Sequence, residues 1–98
     1  MRYALKENVA ETEAAVSEIE AVIDAMVANW PEIIPRRAVP KLTAGLYSVK
    51  SMANMDCLGI GPEGAFSISG QRVYPKAFFA TWMKRKAAVS WAKRKSIA

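Results

Sequence analysis

Residues 65–74 read AFSISGQRVY, two short runs containing β-branched and aromatic residues on either side of Ser69-Gly70. A two-residue turn of this kind between such runs is the signature of a β-hairpin. The pattern predicts strands over Ala65–Ile68 and Gln71–Tyr74. Phe66, Ile68, Val73 and Tyr74 are expected to face the core or the following helix, with Gln71 and Arg72 projecting from or near the tip. Gly59, Gly61, Pro62 and Gly64 form the loop before the hairpin. GIGPEG lacks the Lys-Ser/Thr pair and the following helix of a phosphate-binding loop, so it is read as a device that aims the hairpin.

The rest of the chain reads as helical. Leu5, Val9, Thr12, Val16, Ile19, Ile23, Met26 and Trp30 recur alternately four and three apart, one apolar stripe on a helix from about Tyr3 to Trp30. Asn8 and Glu11 have capping-box spacing, which places the firm start at Val9, and Pro31 stops the helix. The stripe has two readings: packing on its own domain, or pairing with the same helix of a second chain as a heptad seam would. Residues 31–41, PEIIPRRAVPK, read as a proline-rich connector, pinned to the core by Ile33, Ile34 and Val39 and exposing Arg36 and Arg37.

Thr43 is a good N-cap for a brief helix over Ala44–Tyr47, and Ser48 for a second helix from Val49 to about Leu58 that Gly59 ends in a left-handed conformation. Val49, Met52, Ala53 and Leu58 are assigned to the buried side of that helix. Lys50, Ser51, Asn54 and Met55 fall on or near the other. Pro75 suits the first turn of a final helix, Lys76 to about Lys93, with Phe78, Phe79, Trp82 and Met83 as its apolar face. Val89 and Trp91 are left for the N-terminal helix or a partner chain. The last few residues are expected to fray.

Charge separates these parts. Up to Trp30 there are two basic and six acidic residues; from Pro31 onward there are twelve basic and three acidic. Positive charge concentrated in one segment points to a polyanionic partner. With no His and the single Cys57, His-based catalysis, an internal disulfide and the common zinc sites are excluded. No apolar run is long enough to span a bilayer, and the N-terminal segment turns acidic at once without an apolar signal core. The expectation is a soluble, cytoplasmic, non-catalytic protein with no cofactor, metal or small-molecule substrate.

The run from Pro40 to Met83, PKLTAGLYSVKSMANMDCLGIGPEGAFSISGQRVYPKAFFATWM, resembles the excisionase-like, MerR-related winged helix-turn-helix proteins of bacteria, phages and prophages. Leu42-Thr43, Gly45, Ser48, Ile68, Gly70, Arg72, Val73, Tyr74-Pro75 and Trp82-Met83 occupy places matching that family's pattern. The sequence departs from it at Ser67, where a basic residue is common, and at the Ser69-Gly70-Gln71 tip. It departs also at Met52–Asp56, which lacks the usual Tyr/Arg-rich helix and carries an Asp56 that would repel phosphate if it faced DNA.

The resemblance implies a bacterial or phage-encoded protein whose second helix enters the major groove while the wing touches the backbone or minor groove. That assigns Ser48, Lys50, Ser51 and Asn54 on the helix and Gln71 and Arg72 on the wing. Arg36, Arg37, Lys84 and Arg85 are added as flanking cations for phosphate. The fold expected is mainly α with a small β-hairpin: a long amphipathic helix (residues 1–30), the connector (31–41) and a winged helix-turn-helix unit with a basic C-terminal helix (42–95). The function expected is duplex-DNA binding, as a transcriptional regulator or a recombination-accessory factor, with a homodimer through the N-terminal helix. The alternative is a protein-interaction subunit acting through the acidic N-terminal helix without DNA.

Overall fold

The structure is a computed structural model that describes the backbone of residues 2–97 and the side chains of residues 13–92. The side chains of Leu5, Asn8, Val9, Glu11, Thr12 and Lys93–Lys95 lie outside the described residues, but the helical backbone begins at Arg2, so Asn8 lies within the helix and its start is not at Val9. The chain is mainly helical with one small antiparallel sheet. In order it forms α1 (Arg2–Val27), β1 (Ile33–Pro35), a 3-10 turn (Arg36–Ala38), α2 (Val39–Leu42), α3 (Val49–Cys57), β2 (Phe66–Ile68), β3 (Gln71–Pro75) and α4 (Lys76–Ile97).

Helix α1 stops at Val27 rather than at Trp30. The residue before a proline disfavours helical backbone, so Ala28–Trp30 turn instead, with Trp30 N–H donating to the Val27 carbonyl at 3.0 Å. Trp30 still serves the core, edge-on to Phe79 at 5.7 Å. Among its described residues Ile23 and Val27 are the buried ones, with Ile19 and Met26 packed beside them. This part of the stripe is therefore used within the chain, and α4 is its main neighbour.

The proline-rich segment contains a strand that its composition concealed. Ile34 of β1 pairs with Tyr74 of β3, and Phe66 of β2 pairs with Val73, giving the order β1-β3-β2. The sheet thus has three strands and not two. β1 is an edge strand, where proline is tolerated, and it buries Ile34 and hands Val39 to the core, as expected of the connector.

Thr43 does not open a helix over Ala44–Tyr47. It closes α2, which lies upstream of that segment. Its buried Oγ1 donates to the Val39 carbonyl at 2.7 Å, and Ala44 and Gly45 follow as a left-handed turn. Ser48 does cap α3: its Oγ accepts from Ser51 N–H at 3.0 Å. Gly59, with φ +75, takes the left-handed conformation beyond the α3 C-cap, Leu58. Val49 and Leu58 are exposed, so the buried side of α3 is Met52, with Ala53, Met55 and Asp56 half-buried.

The Ser69-Gly70 turn forms with φ of +51 and +77, the two left-handed residues of a tight hairpin. Val73 and Tyr74 are buried as expected, whereas Phe66 and Ile68 are exposed. β2 is the outer strand, paired only with β3, and carries both residues away from the helices. Pro75 ends β3 and precedes α4 rather than lying in its first turn. Phe79, Trp82 and Met83 enter the core; Phe78 instead lies exposed against the backbone of Gly64. Trp30, Tyr47, Tyr74 and Trp82 surround Phe79 at centroid distances of 5.3–6.4 Å. α4 continues past Lys93 to Ile97. No described helix is long and apolar enough to cross a membrane.

Candidate nucleic-acid interface

The inner side of α3 is fastened by a charged group rather than by apolar contacts alone. Arg36 Nη2 donates to Asp56 Oδ2 at 2.6 Å, and Tyr74 Oη donates to the same oxygen at 2.6 Å. Arg36 Nε also donates to Tyr74 Oη at 3.0 Å. The three residues come from the 3-10 turn, α3 and β3, so the group ties the helix to the sheet. Burial pushes the Tyr74 hydroxyl up to about 12; the Arg36 bond opposes this and the Asp56 bond adds to it. Arg36 is raised above its ordinary value, first by its bond to Tyr74 and then by Asp56. Charge-assisted bonds of this kind are about twice as strong as neutral ones.

This arrangement changes two expectations. Asp56, at 10% side-chain exposure, does not face outward as a carboxylate that repels phosphate. Arg36, expected as an exposed cation, is turned inward to neutralise it. The loop closes over the pair: a Cβ on Gly61 would overlap Asp56 Oδ1, which explains the glycine there.

With Asp56 held inside, the outer face of α3 presents Lys50, Ser51 and Asn54, all exposed, behind the exposed cap Ser48. Ser48 Oγ and Ser51 Oγ are 3.0 Å apart and bonded, so the cap is already occupied and Ser48 has a local role. On the hairpin Gln71 and Arg72 are exposed. Arg72 and Asp56 line one cleft of about 260 Å³ with the Gly59–Ala65 loop, so the hairpin at Arg72 and the C-terminal end of α3 are neighbours. Trp82 Nε1 donates to the Ile60 carbonyl at 2.9 Å and pins that loop to α4.

The flanking cations divide. Arg37 is exposed on the 3-10 turn. Arg85 reaches the same loop through an exposed pair with Glu63 at 3.3 Å. Lys84 points the other way, to Asp24 of α1 at 2.7 Å, and is an interhelical tie rather than part of this surface. The α3 face, the hairpin, Arg37 and Arg85 thus remain as candidate contacts; Arg36 and Lys84 do not. Sequence reasoning missed the Arg36–Asp56–Tyr74 group, whose members span 38 positions without a linking motif. Among the described residues no cluster of His, Cys, Asp and Glu suits a metal ion. Comparison of the chain with protein-family models, with curated proteins and with solved structures finds no match.

Proposed function

We propose that the protein is a non-catalytic duplex-DNA-binding factor of winged helix-turn-helix type, a transcriptional regulator or an accessory to recombination. The observation that carries this reading is the fastening of α3 to the sheet by Asp56, which leaves Lys50, Ser51 and Asn54 outward while the neighbouring hairpin exposes Gln71 and Arg72. The order α1-β1-α2-α3-β2-β3, with β1 against β3, supports it. So does the concentration of basic residues beyond Pro31.

Each exposed side chain has a matching task. Lys50 suits a phosphate or guanine, Asn54 an adenine edge, and Ser51 a base or a phosphate oxygen. Arg72, on a hairpin that stands off the core, suits the backbone or the minor groove. Arg37 and Arg85 add phosphate contacts, and release of counterions makes the affinity fall steeply with salt. One module of this size makes few base contacts, so useful affinity calls for two copies on one DNA.

The test is a fluorescence-anisotropy titration of the full chain against mixed-sequence duplex at low and at physiological salt. Salt-sensitive binding at micromolar protein is the expected outcome. Absence of binding at both salts would turn the assignment to the alternative, a protein-interaction subunit.

A further inference from the structure

We infer that α1 and α4 form a docking groove for a second copy of this chain, arranged about a two-fold axis parallel to the two helices. The inference stands on these helices and not on the DNA reading. Asp24 bonds to Lys84 near the core, while Ala15 and Trp91 line the same groove farther out. The helices therefore run antiparallel and extend together as an arm, in a molecule 56 Å long and 28 by 22 Å across.

The groove between them measures about 740 Å³ and is lined by Ile19, Val22, Ile23, Leu46, Ala87 and Trp91 among others. Two helices alone cannot cover the apolar faces they turn towards each other; a second layer is needed. The shortfall is visible in Val22 and Leu46, which are 67% and 68% exposed. At the outer end Trp91 Nε1 is buried without a hydrogen-bond partner among the described residues.

Charge identifies the occupant. Glu18 stands on the α1 side of the groove. Lys86 stands on the α4 side, its Nζ 5.1 Å from the centre of the Trp82 ring. Among the described residues Glu18 and Lys86 form no salt bridge, and the α1–α4 ion pair is Asp24–Lys84. One edge of the groove thus carries an acid, Glu18, and the other a base, Lys86, which makes the face complementary to itself at these two positions. A two-fold axis along the arm sets α1 of one copy against α4 of the next, and each acidic edge against a basic one. An axis across the arm would set α1 on α1, acid on acid, and is disfavoured. The pair formed is a four-helix bundle with both α3–hairpin units at the same end.

The test uses the full chain without DNA, with Glu18→Lys and Lys86→Glu as separate variants. Light scattering is expected to give a dimer mass for the parent. Each single variant, placing like charges together twice in the pair, is expected to dissociate about tenfold more readily. An equimolar mixture of the two is expected to recover the parent's affinity, because the mixed pair restores both attractions. Recovery on mixing cannot arise from a charge effect within one chain or from partial unfolding. A parent that stays monomeric at submillimolar concentration overturns the inference. So do single variants that pair as well as the parent, or a mixture that fails to recover. A monomer whose groove takes up an apolar dye also overturns it, and assigns the groove to a small ligand.

Discussion

Asp56→Ala tests whether the charged group under α3 holds the helix to the sheet. In the native protein Asp56 Oδ2 accepts from Arg36 and from Tyr74, both at 2.6 Å. Truncation leaves the hydroxyl hydrogen of Tyr74, a residue with 0% exposure, without an acceptor. A buried donor left so costs ~1–3 kcal/mol. The Arg36 side chain keeps 24% exposure, so water replaces much of its lost bond, and that part is held to at most ~1 kcal/mol. The expected loss is about 3 kcal/mol, against a total stability of ~5–15 kcal/mol for a domain of this size. With a urea dependence of ~1.5 kcal/mol per molar, the unfolding midpoint followed by circular dichroism falls by about 2 M. Tyr74→Phe keeps the ring against Phe79 at 5.6 Å and removes the hydroxyl, at ~1–2 kcal/mol. The double variant has no orphaned tyrosine hydroxyl, and the partly exposed Arg36, which loses both acceptors, turns to water; it is expected to cost less than the two singles together, by ~1 kcal/mol or more. An Asp56→Ala protein within ~0.5 kcal/mol of the parent, or strictly additive variants, would refute the reasoning.

Alkaline unfolding reads the same group. Tyr74 titrates near 12 folded against 10.0 unfolded, so its contribution is whole below pH 10 and is lost as pH rises through 12. The unfolding free energy read from urea titrations is expected to drop across that window, by up to ~1.4 kcal/mol per pH unit from this group, and less in Tyr74→Phe; equal slopes would count against the assignment. Burial raises Tyr47 as well, so the variant keeps part of the slope. Lys50→Ala with Arg72→Ala is expected to weaken DNA binding and lower the slope of log affinity against log salt by about 1.8, if both touch phosphate. Unchanged binding would remove both from the interface. Ser69→Asn, at φ +51 before Gly70, is expected to stabilise the hairpin by ~0.5 kcal/mol because asparagine tolerates that backbone better; a lower thermal midpoint would contradict it.

What the sequence made legible was local. Ser48, Ser69-Gly70 and the apolar face of α4 each act within a few residues, and each forms as read except that Phe78 falls outside the buried set of Phe79, Trp82 and Met83. β1 was not legible, because IIP between prolines has the composition of a connector and becomes a strand only when β3 lies beside it. Thr43 misled for a different reason. A threonine hydroxyl serves a helix start by accepting and a helix end by donating to the carbonyl four residues back, and the residue type does not distinguish the two. Arg36 and Lys84 look like free cations in one dimension; only the fold brings Asp56 and Asp24 to them. On α3 Lys50, Ser51 and Asn54 fall outward as helical spacing placed them, but the same spacing put Val49 and Leu58 inside and Met55 outside, and the structure exposes the first two and packs Met55 on the core.

β3 passes into α4 without a loop: Pro75 is the last residue of the strand and Lys76 the first of the helix. Lys76 is also tied to the segment between α1 and β1, its N–H to the Glu32 carbonyl at 2.8 Å and its Nζ to the Trp30 carbonyl at 3.2 Å. The helix and the hairpin therefore have no hinge between them and behave as one lever. In the paired arrangement proposed above, the distance between two hairpins is a fixed property of the bundle, not something adjusted on the DNA. Such a pair would act as a ruler: inserting a few base pairs between the halves of its target would break one half's contacts instead of being absorbed by bending at the joint.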